Sequence, residues 1–208
     1  MAVIALVGNK GGAGKTTLAV NLACALNTVE PTTILDADPQ GSALQWRAIA
    51  ESSEVPDVFA SARQMETVLG TRREQYRHLI IDCPPSVDAR QTLQALQFSN
   101  LALIPVQPSP LDLWATVHID HAIERAREVN PGLRALLVIN QLEPRTRLSR
   151  LVRQGLDELG LPATATAIQR RTIYRASVLD GKSVIDMGSR GRAATEEIKQ
   201  LISEVITS

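Results

Sequence analysis

The stretch Gly8-Asn9-Lys10-Gly11-Gly12-Ala13-Gly14-Lys15-Thr16-Thr17 decides the fold of this chain. It follows an apolar run at residues 3–7, which predicts a buried strand, and it precedes residues 18–26, whose apolar positions have helical spacing. A strand, a glycine-rich loop and a helix in this order are typical of a phosphate-binding loop. Glycines let the backbone turn tightly and point successive N–H groups at phosphate oxygens, and the helix N-terminus adds the positive end of its dipole.

The side chains of this loop predict a site for ATP and Mg²⁺. Lys15 is expected to reach the β- and γ-phosphates, and the Thr16 hydroxyl is expected to ligate Mg²⁺. Asn9 stands where the usual G-x-x-x-x-G-K-[ST] pattern has its first glycine, and an additional lysine follows it. The other predicted nucleotide contacts of the loop are Gly11, Gly12, Ala13, Gly14 and Thr17, whereas the residue type of Lys10 alone indicates a solvated loop cation.

Carboxylates end the next two predicted strands. The strand that starts at residue 32 ends in Asp36 and Asp38, and the strand at residues 79–81 ends in Asp82. The carboxyl ends of parallel strands face the crevice where nucleotides bind in open α/β sheets, so all three carboxylates are expected near the phosphates. Asp82 is expected to hold the metal through Thr16 or a water. Residues 42–45, Ser-Ala-Leu-Gln, predict a capping box at the start of the next helix.

Four ordered elements, K-G-G-A-G-K-T-T, D-A-D-P-Q-G, I-I-D-C-P-P and the P-S-P loop at residues 108–110, resemble the ParA/MinD family of deviant Walker A ATPases. The resemblance covers nearly the whole chain. It implies an α/β fold, a doubly wound and mainly parallel sheet with helices on both faces, in one phosphate-loop ATPase domain over residues 1–208. It also implies that the P-S-P loop lies near a dimer face and reports the nucleotide state.

The same resemblance assigns roles to individual residues. It makes Lys10, Lys15 and Asp38 catalytic: Lys10 crosses a dimer interface to the partner's nucleotide, and Asp38 positions the attacking water. It gives Asp36 a supporting role beside the metal. Related ATPases use an asparagine at the end of the fifth strand for the base, which points to Asn140, whose amide offers the donor and acceptor that adenine can match.

Basic residues are concentrated in the C-terminal part of this neutral chain. Residues 145–192 hold ten Lys or Arg against four Asp or Glu, a net charge of +6, which leaves −6 for the rest. Such an asymmetry indicates a polyanion-binding face, although solvated helix faces with scattered ion pairs would give the same counts. Residues 167–181 resemble the C-terminal segment of small plasmid-type ParA proteins, which makes Arg171 the first choice for a DNA contact.

The composition of the chain disfavours two kinds of interaction, base stacking with nucleic acids and membrane binding. Aromatic residues are only 3% of the chain, which disfavours base stacking as a mode of nucleic-acid binding, and no apolar stretch approaches the roughly 18 residues of a membrane span. The last segment, residues 193–206, carries three glutamates against one lysine, whereas a membrane-targeting helix of the MinD kind needs a cationic face. We therefore expect a cytoplasmic protein without membrane binding, and the resemblance implies that it is nucleoid-associated in its ATP state.

The function implied by the resemblance is an ATP-dependent switch for plasmid or chromosome partitioning. Its ATP-bound homodimer would bind nonspecific DNA, and a ParB-type centromere-binding or adaptor protein would stimulate hydrolysis and release. Because the phosphate loop starts close to Met1, the short form that resembles ParF is expected. Three alternatives stay open: a MinD-like membrane switch, a metabolic ATP-dependent enzyme of the same fold, and a ParA-like positioner of a protein cargo. Cargo specificity lies in the partner, so this chain does not separate the last alternative from DNA partitioning.

Overall fold

A computed structural model describes residues 1–144 and 160–206, with the backbone alone for residues 110–117. Within these residues, one six-stranded sheet has the order β3-β2-β4-β1-β5-β6, and every neighbouring pair is parallel. The strands are β1 Ala2–Leu6, β2 Thr32–Asp36, β3 Asp57–Ala60, β4 His78–Asp82, β5 Leu101–Val106 and β6 Arg134–Ile139. This arrangement confirms the predicted doubly wound parallel sheet.

Helices cover both faces of the sheet. They are α1 Lys15–Asn27, α2 Ser42–Ile49, α3 Met65–Arg72, α4 Arg90–Phe98, α5 Pro110–Val129, α6 Thr172–Leu179 and α7 Gly188–Ile206, with a 3-10 turn at Val184–Met187. Helices α1, α2, α6 and α7 contribute to one buried apolar cluster, and α3, α4 and α5 contribute to the other. The alternating side chains of β1 and β4 feed both clusters, because successive side chains of a strand point to opposite faces.

The strand order creates a crevice between β1 and β4. The chain leaves β1 through α1 toward β2 on one side of the sheet, and it leaves β4 through α4 toward β5 on the other side. Ligands of open α/β sheets bind at such a switch point, outside the carboxyl ends of the strands. The glycine loop follows β1, and the segment Cys83-Pro84-Pro85 follows β4. The fold therefore brings these two segments to the same crevice.

The structure adds an edge strand and moves two helix boundaries. Strand β3, which the sequence did not predict, is four residues long and pairs only with β2, so it has too few alternating positions for a clear pattern. Residues 62–69 have the sequence pattern of an amphipathic helix, and the observed helix α3 lies three residues later. Helix α7 begins at Gly188 instead of residue 193. Its early glycines weaken the helical signal, and at Gly191 a Cβ would lie 2.0 Å from the Val184 carbonyl oxygen.

Candidate nucleotide-binding site

A cleft of about 720 Å³ opens at the carboxyl ends of the strands. Its size is within the usual range of small-molecule sites. One wall is the glycine loop with the start of α1, and the opposite wall is residues 168–175, which lead into α6. Asp38, Pro85, Asn140 and Gln141 complete the lining. The cleft therefore lies where the sequence placed the nucleotide.

The glycine loop has the conformation that its glycines predict. Gly12 has a φ of 77° and Gly14 a φ of 95°, in the left-handed region that favours glycine. Lys15 is only 7% exposed, and its Nζ donates a hydrogen bond to the Lys10 carbonyl oxygen at 3.0 Å. Burial lowers the pKa of Lys15, and the nearby Asp82 carboxylate opposes that shift. The loop thus holds its ammonium group in a fixed position beside an acidic residue.

Asp82 is the strongest candidate for a metal ligand. Its side chain is fully buried, and among the described residues neither carboxylate oxygen has a hydrogen-bond partner of ordinary geometry. Burial raises the pKa of Asp82 to about 7, while the adjacent Thr16 hydroxyl lowers that pKa and Asp36 raises it. A buried carboxylate without a partner calls for a missing ion or water. An aspartate beside a threonine hydroxyl supplies the hard oxygen ligands that Mg²⁺ prefers. These residues therefore fit the metal that the sequence predicted.

Asp36 has a structural task in addition to its position at the site. It lies opposite Asp82 in the register of β2 and β4. Its Oδ2 accepts a hydrogen bond from the Leu44 N–H at 3.0 Å, and its Oδ1 accepts one from the Asp38 N–H at 3.2 Å. Burial raises the pKa of Asp36, and these backbone hydrogen bonds oppose the shift. A metal role for Asp36 stays a prediction.

The capping box predicted at residues 42–45 was wrong. The residue before α2 is Gly41, which has a φ of 66°, and no side chain of the predicted box caps the helix. The Asp36 carboxylate accepts from the first turn instead, from a position six residues before the helix begins. The local pattern at residues 42–45 does not indicate this contact, because a turn brings Asp36 back to the helix. In that turn, Asp38 Oδ1 accepts the Gln40 N–H at 2.9 Å. Asp38 also lines the cleft, and its role in positioning the attacking water stays a prediction.

Asn140 reaches the site but contacts the loop. Its Nδ2 donates to the Ala13 carbonyl oxygen at 2.6 Å, and its Oδ1 accepts the N–H of Gln141 at 3.0 Å. The side chain is 5% exposed. One amide hydrogen and one oxygen lone pair are thus engaged within the protein, and the contact with adenine stays a prediction.

Three further polar side chains contact segments of the site, and the sequence predicted these contacts for none of them. Gln107, after β5, and Gln141, after β6, both donate from Nε2 to the Gly12 carbonyl oxygen, at 2.8 and 3.1 Å. Asn9 accepts the Val87 N–H at 3.2 Å, which ties the glycine loop to the segment after β4. Each of these residues directly follows or lies near the carboxyl end of a strand. That position is the signal that could have identified them.

Arg171 lies in the cleft wall, where its charge is neutralised. Its Nε and Nη2 donate to Glu197 Oε1 at 2.9 and 2.7 Å, and the Tyr174 hydroxyl donates to the other oxygen of Glu197 at 3.0 Å. Arg170 forms an ion pair with Glu143 at 2.6 Å. The structure therefore ties Arg171 to α7, and its contact with DNA stays a prediction. Four of the basic residues counted above, within residues 145–159, lie outside the described residues.

The length and composition of the helices, and the contacts of the glutamates in α7, concern the expected lack of membrane binding. Within residues 1–144 and 160–206, none of the helices combines the length and the apolar composition that a bilayer crossing requires. The glutamates of α7 hold the neighbouring loop: Glu204 accepts the N–H groups of Ala165 and Thr166 at 2.5 and 3.0 Å. The acidic character of this helix thus has a structural explanation.

Comparisons with known proteins agree with this geometry. A family model described as the CobQ/CobB/MinD/ParA nucleotide binding domain matches residues 4–184. The chain is 38% identical to the maintenance of carboxysome distribution protein A of Halothiobacillus neapolitanus, over 99% of this chain and 96% of that protein. It is 29% identical to the chromosome partitioning protein ParA of Caulobacter vibrioides, over 72% of this chain and 73% of that protein.

A solved structure is similar over the same length. The structure of a variant of Cyanothece McdA in complex with ATP matches with a TM-score of 0.77 and 15% identity, over 99% of this chain and 96% of that chain. At this identity the likeness concerns the fold alone. The carboxysome relative thus matches more of this chain, at a higher identity, than the partitioning relative does.

Proposed function

Since the chain belongs to the CobQ/CobB/MinD/ParA family of nucleotide-binding domains, we propose that it is an ATPase whose ATP-bound dimer positions a protein cargo on nonspecific DNA. The observation that carries this proposal is the match along the whole chain to a carboxysome distribution protein. The sequence alone favoured DNA partitioning of the ParF kind and left protein cargo as an alternative. The relatives favour that alternative, so we assign the cargo to the class of protein compartments.

The chemistry proposed for the cleft is hydrolysis of the ATP γ-phosphate. Lys15 and the N–H groups of the glycine loop would neutralise phosphate charge, and Thr16 and Asp82 would hold Mg²⁺. A bound Mg²⁺ stabilises negative charge that develops on the phosphate oxygens. Asp38, at the cleft wall, would orient the attacking water.

Dimerisation would depend on the second lysine of the loop. Lys10 is partly exposed, whereas Lys15 is buried. We assign Lys10 to the nucleotide of the partner subunit, so that each γ-phosphate is neutralised from both sides. Such a dimer is stable with ATP and loosens after hydrolysis. An adaptor protein on the cargo would stimulate hydrolysis and release the complex, and no membrane is involved.

The DNA surface of this switch is best sought among cations without partners. Within residues 160–206, five exposed cations have no ion pair to another described residue: one lies in α6, one between α6 and the 3-10 turn, and three in α7. They are Arg175, Lys182, Arg190, Arg192 and Lys199. Arg192 and Lys199 are seven residues apart on α7 and therefore share one helix face. Free charges attract phosphates more strongly than the paired Arg171 does, and we place the DNA contacts there.

Binding to a random DNA duplex tests this assignment. In the ATP state, the double variant Arg192→Ala/Lys199→Ala should bind DNA more weakly, and its salt dependence should be shallower by about two per subunit, because each lost phosphate contact removes about one from the slope. Arg77→Ala is the matched control, since Arg77 precedes β4 at the opposite end of the sheet and pairs with Glu30. An unchanged salt slope in the double variant would place the DNA surface elsewhere.

Deletion of the gene in its host separates the two kinds of cargo. If the cargo is a protein compartment, the compartments should cluster or be inherited unevenly, while plasmid and chromosome inheritance stays normal. Loss of DNA inheritance with normally distributed compartments would contradict the proposed cargo and support DNA partitioning.

A further inference from the structure

Three amide side chains hold the carbonyl oxygens in the middle of the glycine loop. Gln107 and Gln141 both donate to the Gly12 carbonyl oxygen, at 2.8 and 3.1 Å, and Asn140 donates to the Ala13 carbonyl oxygen at 2.6 Å. The donors come from the ends of β5 and β6, 95 to 129 residues away along the chain. Two successive carbonyl groups are thus fixed from outside the loop.

Fixing these carbonyl groups also fixes the N–H groups that follow them. In a trans peptide unit the C=O and the N–H point in opposite directions. The carbonyls of Gly12 and Ala13 point toward the amides, so the N–H groups of Ala13 and Gly14 point away from them. N–H groups of a glycine loop that point away from the protein framework are the donors that bind phosphate oxygens.

Two features of the local backbone accompany these contacts: a strained conformation at Gln141 and a close approach of Asn140 to Gly14. Gln141 has a φ of 59°, and it is the one residue other than glycine with a positive φ among the described residues. A positive φ is unfavourable for an L-residue that carries a side chain, and such backbone strain is concentrated at functional sites. At Gly14, a Cβ would lie 2.2 Å from the Nδ2 of Asn140, so this amide can reach the loop only past a glycine.

We propose that Gln107, Asn140 and Gln141 are positioning residues that orient the phosphate-binding N–H groups of Ala13 and Gly14 before the nucleotide arrives. We call these three residues the amide clamp. The inference rests on the proposed nucleotide site and adds how its affinity arises. Because the clamp holds the loop, its peptide units do not have to reorder when the nucleotide binds. The conformational entropy of the loop is therefore lost on folding and does not reduce the affinity for the nucleotide.

Two donors on one carbonyl make the clamp partly redundant, and this gives it a distinctive signature. In Gln107→Met or in Gln141→Gly, the Gly12 carbonyl keeps one donor, so each single variant should weaken ATP binding by about threefold. The double variant leaves that carbonyl without a donor and should weaken binding by about thirtyfold, more than the product of the single effects. ADP should follow the same pattern, because the N–H groups contact phosphates that both nucleotides carry.

Stability without nucleotide distinguishes positioning from support of the fold. Gln141→Gly relieves the left-handed strain, so the unliganded variant should unfold at the same temperature as the wild type or at a higher one. Its affinity should nevertheless fall. The matched control is Gln200→Ala, which removes an amide that is hydrogen-bonded to Glu196 on the exposed face of α7. Neither its affinity for ATP nor that for ADP should change.

Isothermal titration of ATP and ADP, with thermal unfolding of the unliganded proteins, decides the matter. Greater than multiplicative loss of affinity in the double variant, with an unfolding temperature for Gln141→Gly at or above that of the wild type, supports the clamp. The inference is overturned if the double variant binds ATP as the wild type does. It is also overturned if affinity falls only in variants that unfold at a lower temperature. A wild-type protein that binds no ATP at all would instead contradict the proposed function.

Discussion

Replacing Asp82 by asparagine should stabilise the nucleotide-free protein at high pH. The wild-type carboxylate is fully buried, and among the described residues neither of its oxygens has a hydrogen-bond partner of ordinary geometry, so its charged form is costly. Asparagine has nearly the same shape and carries no charge. We therefore expect Asp82→Asn to unfold at a higher temperature than the wild type above the pKa of the buried carboxyl, which burial raises to about 7.

The pKa sets both the size of this effect and its pH window. The folded pKa of about 7 exceeds the ordinary aspartate pKa of 3.8, so between these values the folded state holds a proton that the unfolded state has lost. Wild-type stability therefore falls as the pH rises through this window and levels off above it. Each pKa unit corresponds to about 1.4 kcal/mol, which gives an upper bound on the order of 4 kcal/mol. The unpaired amide of asparagine offsets part of that, and we expect a net gain of about 2 kcal/mol.

Thermal unfolding in EDTA between pH 5 and pH 8.5 measures the effect. A gain of about 2 kcal/mol corresponds to about 5 °C for a chain of this length. At pH 5 only the lower part of this window has been crossed, so the gain of Asp82→Asn over the wild type should be smaller at pH 5 than at pH 8.5. Asp88→Asn is the control, because Asp88 is exposed and paired with Arg125, and it should show no gain at high pH. An Asp82→Asn protein that is equally or less stable than the wild type at pH 8.5 would refute the assignment of Asp82 as an unsatisfied buried carboxylate.

Two other predictions concern the packing of α7. Glu197→Gln should lower the free energy of unfolding by about 1 to 2 kcal/mol, because it removes the charge that the partly exposed Arg171 faces; an unchanged urea midpoint would count against this network. Gly191→Ala should cost about 2 kcal/mol or more, since its Cβ would collide with the Val184 carbonyl. Gly70→Ala, in α3, is the control: its Cβ would meet nothing within 4 Å, and it should raise the free energy of unfolding by up to about 1 kcal/mol. Equal urea midpoints for the two alanine variants would contradict the packing described.

The parts of the fold that could be predicted were those with strong local signals. The strand before the glycine loop and the strand that ends in Asp82 are continuous apolar runs, which is typical of central strands of a parallel sheet that are buried on both faces. Strand β3 gives no such signal, because it has four residues and only one neighbouring strand. Local pattern thus identified the centre of the sheet and missed its edge.

The candidate site shows the same division between local and distant information. Lys15, Thr16 and Asp82 could be named because a single loop and a single strand end carry them. The position of Gln141 after a strand end could have placed it near the site, but its contact with Gly12 joins residues 129 apart, and neither neighbourhood indicates that pairing. In the same way, the sequence shows the charge of Arg171, while only the packing of α7 reveals that Glu197 neutralises it. The sequence could not predict contacts between residues that are distant along the chain and meet only in the tertiary structure.

The most direct test of the proposed switch is the mass of the protein in solution with ADP and with ATP, measured by light scattering together with binding to random duplex DNA. The account predicts that ATP produces a dimer that binds DNA in a salt-sensitive manner, that ADP does not, and that Lys10→Ala abolishes both dimerisation and DNA binding. A protein that stays monomeric with ATP, or that dimerises without gaining affinity for DNA, would contradict the central claim.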